Sequence, residues 1–371
     1  MGAKLSLANH DWHERYRVRE AGRIATPALA IYREAVAHNI DATLRVLGGN
    51  ADRWRPHVKT AKLEYVMRML AERGVVNVKC ATTLELRVAL AAGACDVLVA
   101  YPLVGPAAER VREVAAERRE CRVSALVENL DQARQWRGTA VGVFLDVNPG
   151  MDRTGIEQRS ERNIIELVKA MAAAGIHFRG VHYYDGHLGG LEMPARTAAA
   201  HRGYDQLMKL VAALRESQVP VDEVITAGTA AFPCSVSYAP FRGSGFSHRV
   251  SPGTVVYNDA SSLAQLPEEF DYWPAALVIA RVVSHPRADV ITCDAGHKTV
   301  SADAGVPTCV VLGHASLEPL APSEEHLPLR VTAAADPPRI GEVLYVLPRH
   351  VCPTVNNFDD ALIIAGGSIA G

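Results

Sequence analysis

Residues 141–185 read VGVFLDVNPGMDRTGIEQRSERNIIELVKAMAAAGIHFRGVHYYD. The stretch opens on a β-branched apolar run, VGVFLDV (141–147), and passes through a glycine-bounded loop. It continues in a segment of helical period, RNIIELVKAMAAAG (162–175), and closes on a second strand-like run, RGVHYYD (179–185). A helical segment between two short strand-like runs argues for a strand–helix–strand unit feeding a parallel sheet.

The same unit recurs on both sides of it. Upstream lie ALAIY (28–32), RPHVK (55–59), VNVKC (76–80), VLVAY (97–101) and VSALVE (123–128), and downstream lies EVITAG (223–228). Helix-like stretches such as EAVAHNIDATLRVL (34–47), LELRVALAAG (84–93) and ARTAAAHRGYDQLMKLVAALRESQ (195–218) separate them. Eight such repeats predict an α/β fold in which residues 26–265 form a (β/α)8 TIM barrel, with a doubly wound sheet as the alternative. A ninth run, VSPGTVVY (250–257), is either the closing strand or the exit from the barrel. Beyond residue 265 the texture changes to short strand-like runs broken by proline and glycine, which predicts a C-terminal β-domain over 266–371.

The chain has 371 residues with a formal net charge of -2. That balance gives no electrostatic reason to expect a nucleic acid or an anionic membrane as partner. The N-terminal residues carry charge throughout, unlike a signal peptide, and the apolar runs are too short to span a bilayer. The expected setting is cytoplasmic and the expected class a small-molecule enzyme. Seven cysteines show no CxxC spacing, so reduced thiols are expected. All but Cys352 sit among apolar neighbours and read as small core residues.

Five motifs could carry chemistry. RPHVKTAK (55–62) puts Lys59 at the end of the second strand-like run, where barrel side chains face the active-site mouth. A lysine there is either a side chain snorkelling to solvent or an amine tuned for Schiff-base chemistry. His57, two residues earlier, shares its strand face. TAGTAA (226–231) and SPGT (251–254) each place a glycine beside hydroxyl donors, as a phosphate loop does and as a tight turn also does. DVNPGMDRTG (146–155) places Arg153 near the mouth, paired either to an anion of the site or to Asp152. HYYDGHLGG (182–190) offers Tyr184 and His187 to a cofactor ring or a proton transfer. RHVCPTVN (349–356) sets His350 and Cys352 two residues apart, so in an extended segment both can bind one metal, with zinc favoured by the donor types.

Together these stretches resemble the fold-type III pyridoxal-phosphate (PLP) enzymes, and among them the D-threonine aldolase and D-serine dehydratase branch. The most specific matches are TPALAIY, RPHVKTAK, YYDGHLGG, SPGTVVYNDA, DAGHKTVSAD and HVCPTVN, in family order. The resemblance implies an alanine racemase-like PLP-binding barrel with a β-domain that residues 1–25 join, and a homodimer. It implies Lys59 as the Schiff-base lysine, Gly228, Thr229, Gly253 and Thr254 as phosphate contacts with Tyr257 nearby, and Arg153 and Tyr184 as flanks of the cofactor or substrate. His350 and Cys352 would hold a divalent metal (Zn, Mn or Mg), and in the chemistry so implied the candidate base is His57 or a metal-bound water.

The activity so implied is that of a PLP-dependent, metal-activated lyase of D-3-hydroxy amino acids. Two branches compete. SPGTVVYNDA and YYDGHLGG look like the aldolase side, giving glycine and an aldehyde. The His-x-Cys spacing looks like the dehydratase side, which acts on D-serine or D-3-hydroxyaspartate and gives a 2-oxo acid. An amino-acid racemase and a non-catalytic PLP-binding protein are the remaining alternatives.

Overall fold

The computed structural model describes residues 12–332 and 336–371. The first eleven residues of the segment expected to join the β-domain lie outside them. The chain divides into two compact units, one of residues 44–253 and one of residues up to 43 together with 254–371. Residues 26–43 and 254–265, expected in the barrel, therefore group with the β-rich unit.

In the unit of residues 44–253, seven parallel strands follow one another in chain order: Asn77–Cys80, Asp96–Pro102, Arg122–Val127, Gly142–Asn148, Phe178–Tyr183, Glu223–Thr226 and Ser247–Val250. Residues 54–57 bridge the first of these to the last. Trp54 pairs with Val250 and His57 with Lys79, through Arg55 N to Val250 O at 2.9 Å, Val58 N to Lys79 O at 2.8 Å and Lys79 N to Pro56 O at 2.9 Å. The ring closes through this irregular eighth segment.

Strand side chains alternate faces, and those turned into the ring stack in layers. At the starts of the strands is a floor of buried charges. Arg55 grips Glu223 through Nε at 2.7 Å and meets Asp96 at 3.1 Å, Arg179 meets Asp96 at 2.6 Å, and Arg249 meets Glu223 at 2.5 Å. Above it lies an apolar layer of Leu98, Leu126, Phe144 and Ile225. Two residues further along their strands stand the polar side chains of the mouth, such as His57 after Arg55 and Asp146 after Phe144.

The other unit is built on a mixed sheet. Its path runs Leu317–Pro319, Leu327–Val331, Val290–Cys293, Ala276–Arg287, Ala28–Tyr32, Leu362–Ala365 and Ser368–Ile369, with Val343–Pro348 also on Ala276–Arg287. Here the structure corrects the sequence reading. ALAIY is not the first barrel strand: Ala28 pairs with Ile279 antiparallel and Ala30 with Leu362 parallel. Four of its five residues are buried, so its composition matches a barrel strand and only its distant partners decide which sheet it joins. The run 250–257 is also divided. Val250 ends the last barrel strand, while Thr254–Val256 is a 3-10 turn of the other unit.

The cysteines depart from expectation at two places. Cys80, Cys234, Cys293 and Cys309 are buried, but Cys95 is exposed and Cys121 half-buried, both just before barrel strands. No helix among the described residues is long and apolar enough to cross a membrane.

Candidate active site

The turn that carries Lys59 is held from both ends. Before it, residues 54–58 are hydrogen-bonded into the ring as described. After it, Lys62 N donates to Val58 O at 2.8 Å, and Lys62 sits in the left-handed region with φ 50°. Thr82 caps the helix Thr83–Ala91 by accepting from Glu85 N, and the Glu85 carboxylate in turn lies 3.5 Å from Lys62 Nζ. Lys59 is thus exposed at the end of a pinned segment. Its own N–H donates to His57 Nδ1 at 3.3 Å.

Burial, followed by the positive charges of Lys79 and Lys59 and, more weakly, of Arg153, holds His57 well below the usual histidine range. The imidazole is therefore neutral at physiological pH, with Nδ1 accepting from Lys59 N and the ring proton on Nε2. Asp146 and His182 are neighbours across their strands. His182 Nδ1 lies 2.8 Å from Asp146 Oδ1, and Thr154 donates to the other oxygen at 2.8 Å. Burial pushes Asp146 up, but these hydrogen bonds and the imidazole outweigh it and its carboxyl stays below the ordinary range. Lys79 Nζ reaches His182 Nε2 at 3.1 Å.

Tyr184 leaves the strand Phe178–Tyr183 half-buried. The Arg153 guanidinium lies 4.8 Å from the centre of its ring and Lys79 Nζ 5.7 Å. Arg153 thus packs on Tyr184, whereas Asp152 takes its hydrogen bond from Asn148. The ring is pressed against Gly228, where a Cβ would come within 2.7 Å of it. Gly253 is equally confined, since a Cβ there would collide with the carbonyl oxygen of His57. His187 lies exposed on the 3-10 turn Gly186–Gly190.

These features fit a phosphorylated aromatic aldehyde such as PLP. The fit rests on two glycines that keep backbone open beside Tyr184 and His57, a pinned lysine, and the Ser251 hydroxyl, which is buried without a hydrogen-bond partner. Thr229 is half-buried in the turn before the helix Phe232–Ser237. Ala227, in the left-handed region with φ 60°, shapes the loop that Gly228 and Thr229 share. Lys59, His57, Arg153, Tyr184, Gly228, Thr229 and Gly253 all belong to this unit.

Thr254, Tyr257, His350 and Cys352 belong to the other unit. Tyr257 is buried, and burial pushes its hydroxyl up. His350 Nδ1 lies 2.6 Å from Asp303 Oδ2, and Cys352 Sγ is 3.5 Å from the Thr254 hydroxyl. Cys352 is not in an extended segment as expected but in the first turn of the helix Val351–Val355, with His350 as its N-cap. The side chains meet even so: the hydrogen bond with Cys352, ahead of that with Asp303, raises His350 to about 9.

The donor set fits a divalent ion in part. An imidazole and a thiol meet, with a carboxylate orienting the imidazole from its other side. Among the described residues no group of three or more His, Cys, Asp or Glu side chains is arranged to hold a metal, so the pair supplies an incomplete shell.

The sequence reading missed Lys79, Asp146 and His182 as site residues. All three sit inside strand-like runs, and the one available signal was a charged or imidazole side chain at an inward position of such a run.

Comparison with known proteins agrees with this fold. The chain is 27% identical over 364 residues to a D-threonine aldolase of Arthrobacter sp, covering 94% of this chain and 91% of that protein. It is 25% identical over 367 residues to a 3-hydroxy-D-aspartate aldolase of Paracoccus denitrificans, with the same coverage. The crystal structure of D-threonine aldolase from Filomicrobium marinum superposes with a TM-score of 0.84 at 27% identity, covering 94% of each chain. Residues 275–364 match the serine dehydratase domain family, and residues 31–261 match the model described as alanine racemase, N-terminal domain. With well over half its length in that match and the barrel built as the match requires, the chain belongs to the alanine racemase N-terminal domain family, the fold-type III PLP enzymes.

Proposed function

We propose that the protein is a PLP-dependent lyase of D-3-hydroxy amino acids, and within that class a D-threonine aldolase that cleaves its substrate to glycine and an aldehyde. The observation that carries the reading is the exposed Lys59 on a pinned turn, in the same ring end as the cradle of Tyr184, Gly228 and Gly253. When bound, the cofactor supplies an electron sink for the charge released at Cα. Lys59 is the amine that holds it. Tyr184, backed by Gly228, presents a ring face for stacking, and Arg153 adds a cation for an anionic group. His57 is the base we assign to the substrate hydroxyl as the Cα–Cβ bond breaks; its unprotonated nitrogen is Nδ1, which takes the proton by giving up the bond from Lys59 N.

His350 and Cys352 are the residues we assign to a divalent ion, which would lower the proton affinity of the β-hydroxyl. Their His-x-Cys spacing favours a second reading, the dehydratase, in which the hydroxyl leaves and a 2-oxo acid with ammonia results. A homodimer belongs to both readings and is checked by sedimentation.

The deciding experiment incubates the protein with PLP, a divalent metal and D-threonine, and assays acetaldehyde and 2-oxobutanoate in the same sample. Acetaldehyde with stoichiometric glycine is the expected result. A 2-oxo acid as sole product establishes the dehydratase instead. Full activity after exhaustive chelation, with racemised amino acid as product, removes both lyases.

A further inference from the structure

Lys79 has no part in the reading above, yet it is an expensive side chain to keep. It lies in the strand Asn77–Cys80 and is 3% exposed, beside an interior layer that is otherwise filled by Leu98, Leu126, Phe144 and Ile225. Burying an amine there costs stability unless it is partnered or neutral. Its partner is not a carboxylate. Nζ is 3.1 Å from His182 Nε2, and Asp146 is reached only through the imidazole, 2.8 Å from Nδ1. With Nδ1–H given to the carboxylate, Nε2 is an acceptor and Lys79 donates to it. Three strands thus contribute one chain, Asp146–His182–Lys79, that ends on an amine.

Lys79 is also the backbone neighbour of His57. His57 and Lys79 are bridge partners on adjacent segments of the ring, and Val58 N and Lys79 N exchange hydrogen bonds with the facing carbonyls. The charged and titratable groups around Lys79 come from every neighbouring segment. Lys59 and His57 lie on the closing segment, Asp146 and Arg153 on the strand Gly142–Asn148 and its exit, and His182, Tyr184 and Asp185 on the strand Phe178–Tyr183 and its exit. Burial weighs most against a further proton at this end of the ring, and Lys59 and Arg153 add to it while Asp146 and Asp185 oppose them.

We propose that Lys79 is a positioning residue: anchored on His182 and Asp146, its amine keeps His57 an uncharged hydrogen-bond acceptor beside Lys59. The proposal rests on the reading that Lys59 and His57 form the reactive end of the barrel. It is supported by the direction in which Lys79, after burial, moves His57. Lys79 itself is brought to about 7 by burial and by the charge of Lys59, with Asp146 opposing.

The test is a pH titration of the histidine ring signals by NMR in the cofactor-free protein, comparing wild type with Lys79→Met and Lys79→Arg. Lys79→Met removes the charge, and His57 is expected to titrate higher by about one pH unit, a tenfold change in proton affinity. Lys79→Arg keeps a cation, so His57 is expected to stay low. A merely structural role would make the two variants alike. Should Lys79→Met fail to fold, Lys79→Gln carries the same comparison. His57 titrating alike in the neutral and cationic variants overturns the proposal. The cofactor reading is judged separately by the visible band formed with PLP. Its survival in Lys59→Ala removes Lys59 as the holding amine, while the histidine titration still decides Lys79.

Discussion

At the scale of single residues the candidate site depends on absent side chains as much as on present ones. Gly228 lies against the Tyr184 ring, and a methyl group there would approach it to 2.7 Å. Either the ring or the loop Ala227–Thr229 must move. Overpacking of this kind costs about 1–3 kcal/mol. Gly228→Ala is therefore expected to weaken PLP binding by about tenfold or more while leaving the fold in place. Equilibrium dialysis of PLP against both proteins, with circular dichroism as the control for folding, checks this. Unchanged affinity would show that Tyr184 and Gly228 do not meet the cofactor. Gly253 makes the same kind of approach to the His57 carbonyl, so one loop beside Tyr184 and another beside His57 both need glycine for steric reasons.

At the scale of elements, the barrel is tied at its strand starts by charge and filled above by apolar side chains. Glu223 opens its strand and accepts from Arg55 at 2.7 and 3.0 Å and from Arg249 at 2.5 Å. Arg55 is fully buried. Removing one partner of such a network leaves an uncompensated buried cation, at a cost of about 3–5 kcal/mol. Glu223→Gln is accordingly expected to lower the melting temperature of the 371-residue chain by roughly 4–6 °C. The exposed helical pair Arg162–Glu166 at 2.9 Å is the contrast: Glu166→Gln should change stability by at most about 0.5 kcal/mol. Thermal melts of both variants under the same conditions make the comparison. Equal effects would mean that the floor is no more than a set of surface-like pairs. The floor is also why the closing segment 54–58 can be irregular, since Arg55 is held by side-chain contacts to Glu223 and Asp96 as well as by its backbone.

At the scale of the whole molecule, the buried amine at Lys79 couples folding to pH. The folded chain holds Lys79 at about 7 against an ordinary 10.5, so between those values the unfolded chain binds the extra proton. Stability contributed at this residue rises as pH climbs from about 7 to 10.5, and the penalty is fully present below 7. Lys79→Met should abolish that slope and make the cofactor-free protein more stable than wild type at pH 7 by roughly 1–2 kcal/mol. Urea midpoints at pH 7 and pH 9.5 for both proteins test it. A wild-type midpoint that does not approach that of the variant at the higher pH would argue against a depressed amine. His57 and His182 act lower on the scale. Both are held below the usual histidine range, so their contribution is lost as pH falls below about 6.5.

What the sequence determined by itself was periodic or stereochemical, and therefore local. Alternation of apolar runs with helical segments was enough for six of the seven parallel strands, because each of those runs carries its own burial pattern, whereas the expected strands at 28–32 and 55–59 proved to be a strand of the other sheet and an irregular bridging segment. Glycines beside hydroxyl residues marked the loops at Gly228 and Gly253, because a missing Cβ is written in the chain. Lys59, His57, Arg153, Tyr184, Gly228, Thr229 and Gly253 were named from such signals, and the fold collects them in one unit. Tertiary structure alone decided what depends on partners far away in the chain. Ala28–Tyr32 looks like any doubly buried strand, and its sheet was settled by pairing with Ile279 and Leu362. The ring closes through residues 54–57, whose bridges reach across to Val250 and Lys79. A lysine in a strand-like run does not reveal whether it meets solvent or an imidazole 103 residues away. Long-range contacts of this kind follow from the closure of the ring, and no stretch of sequence contains them.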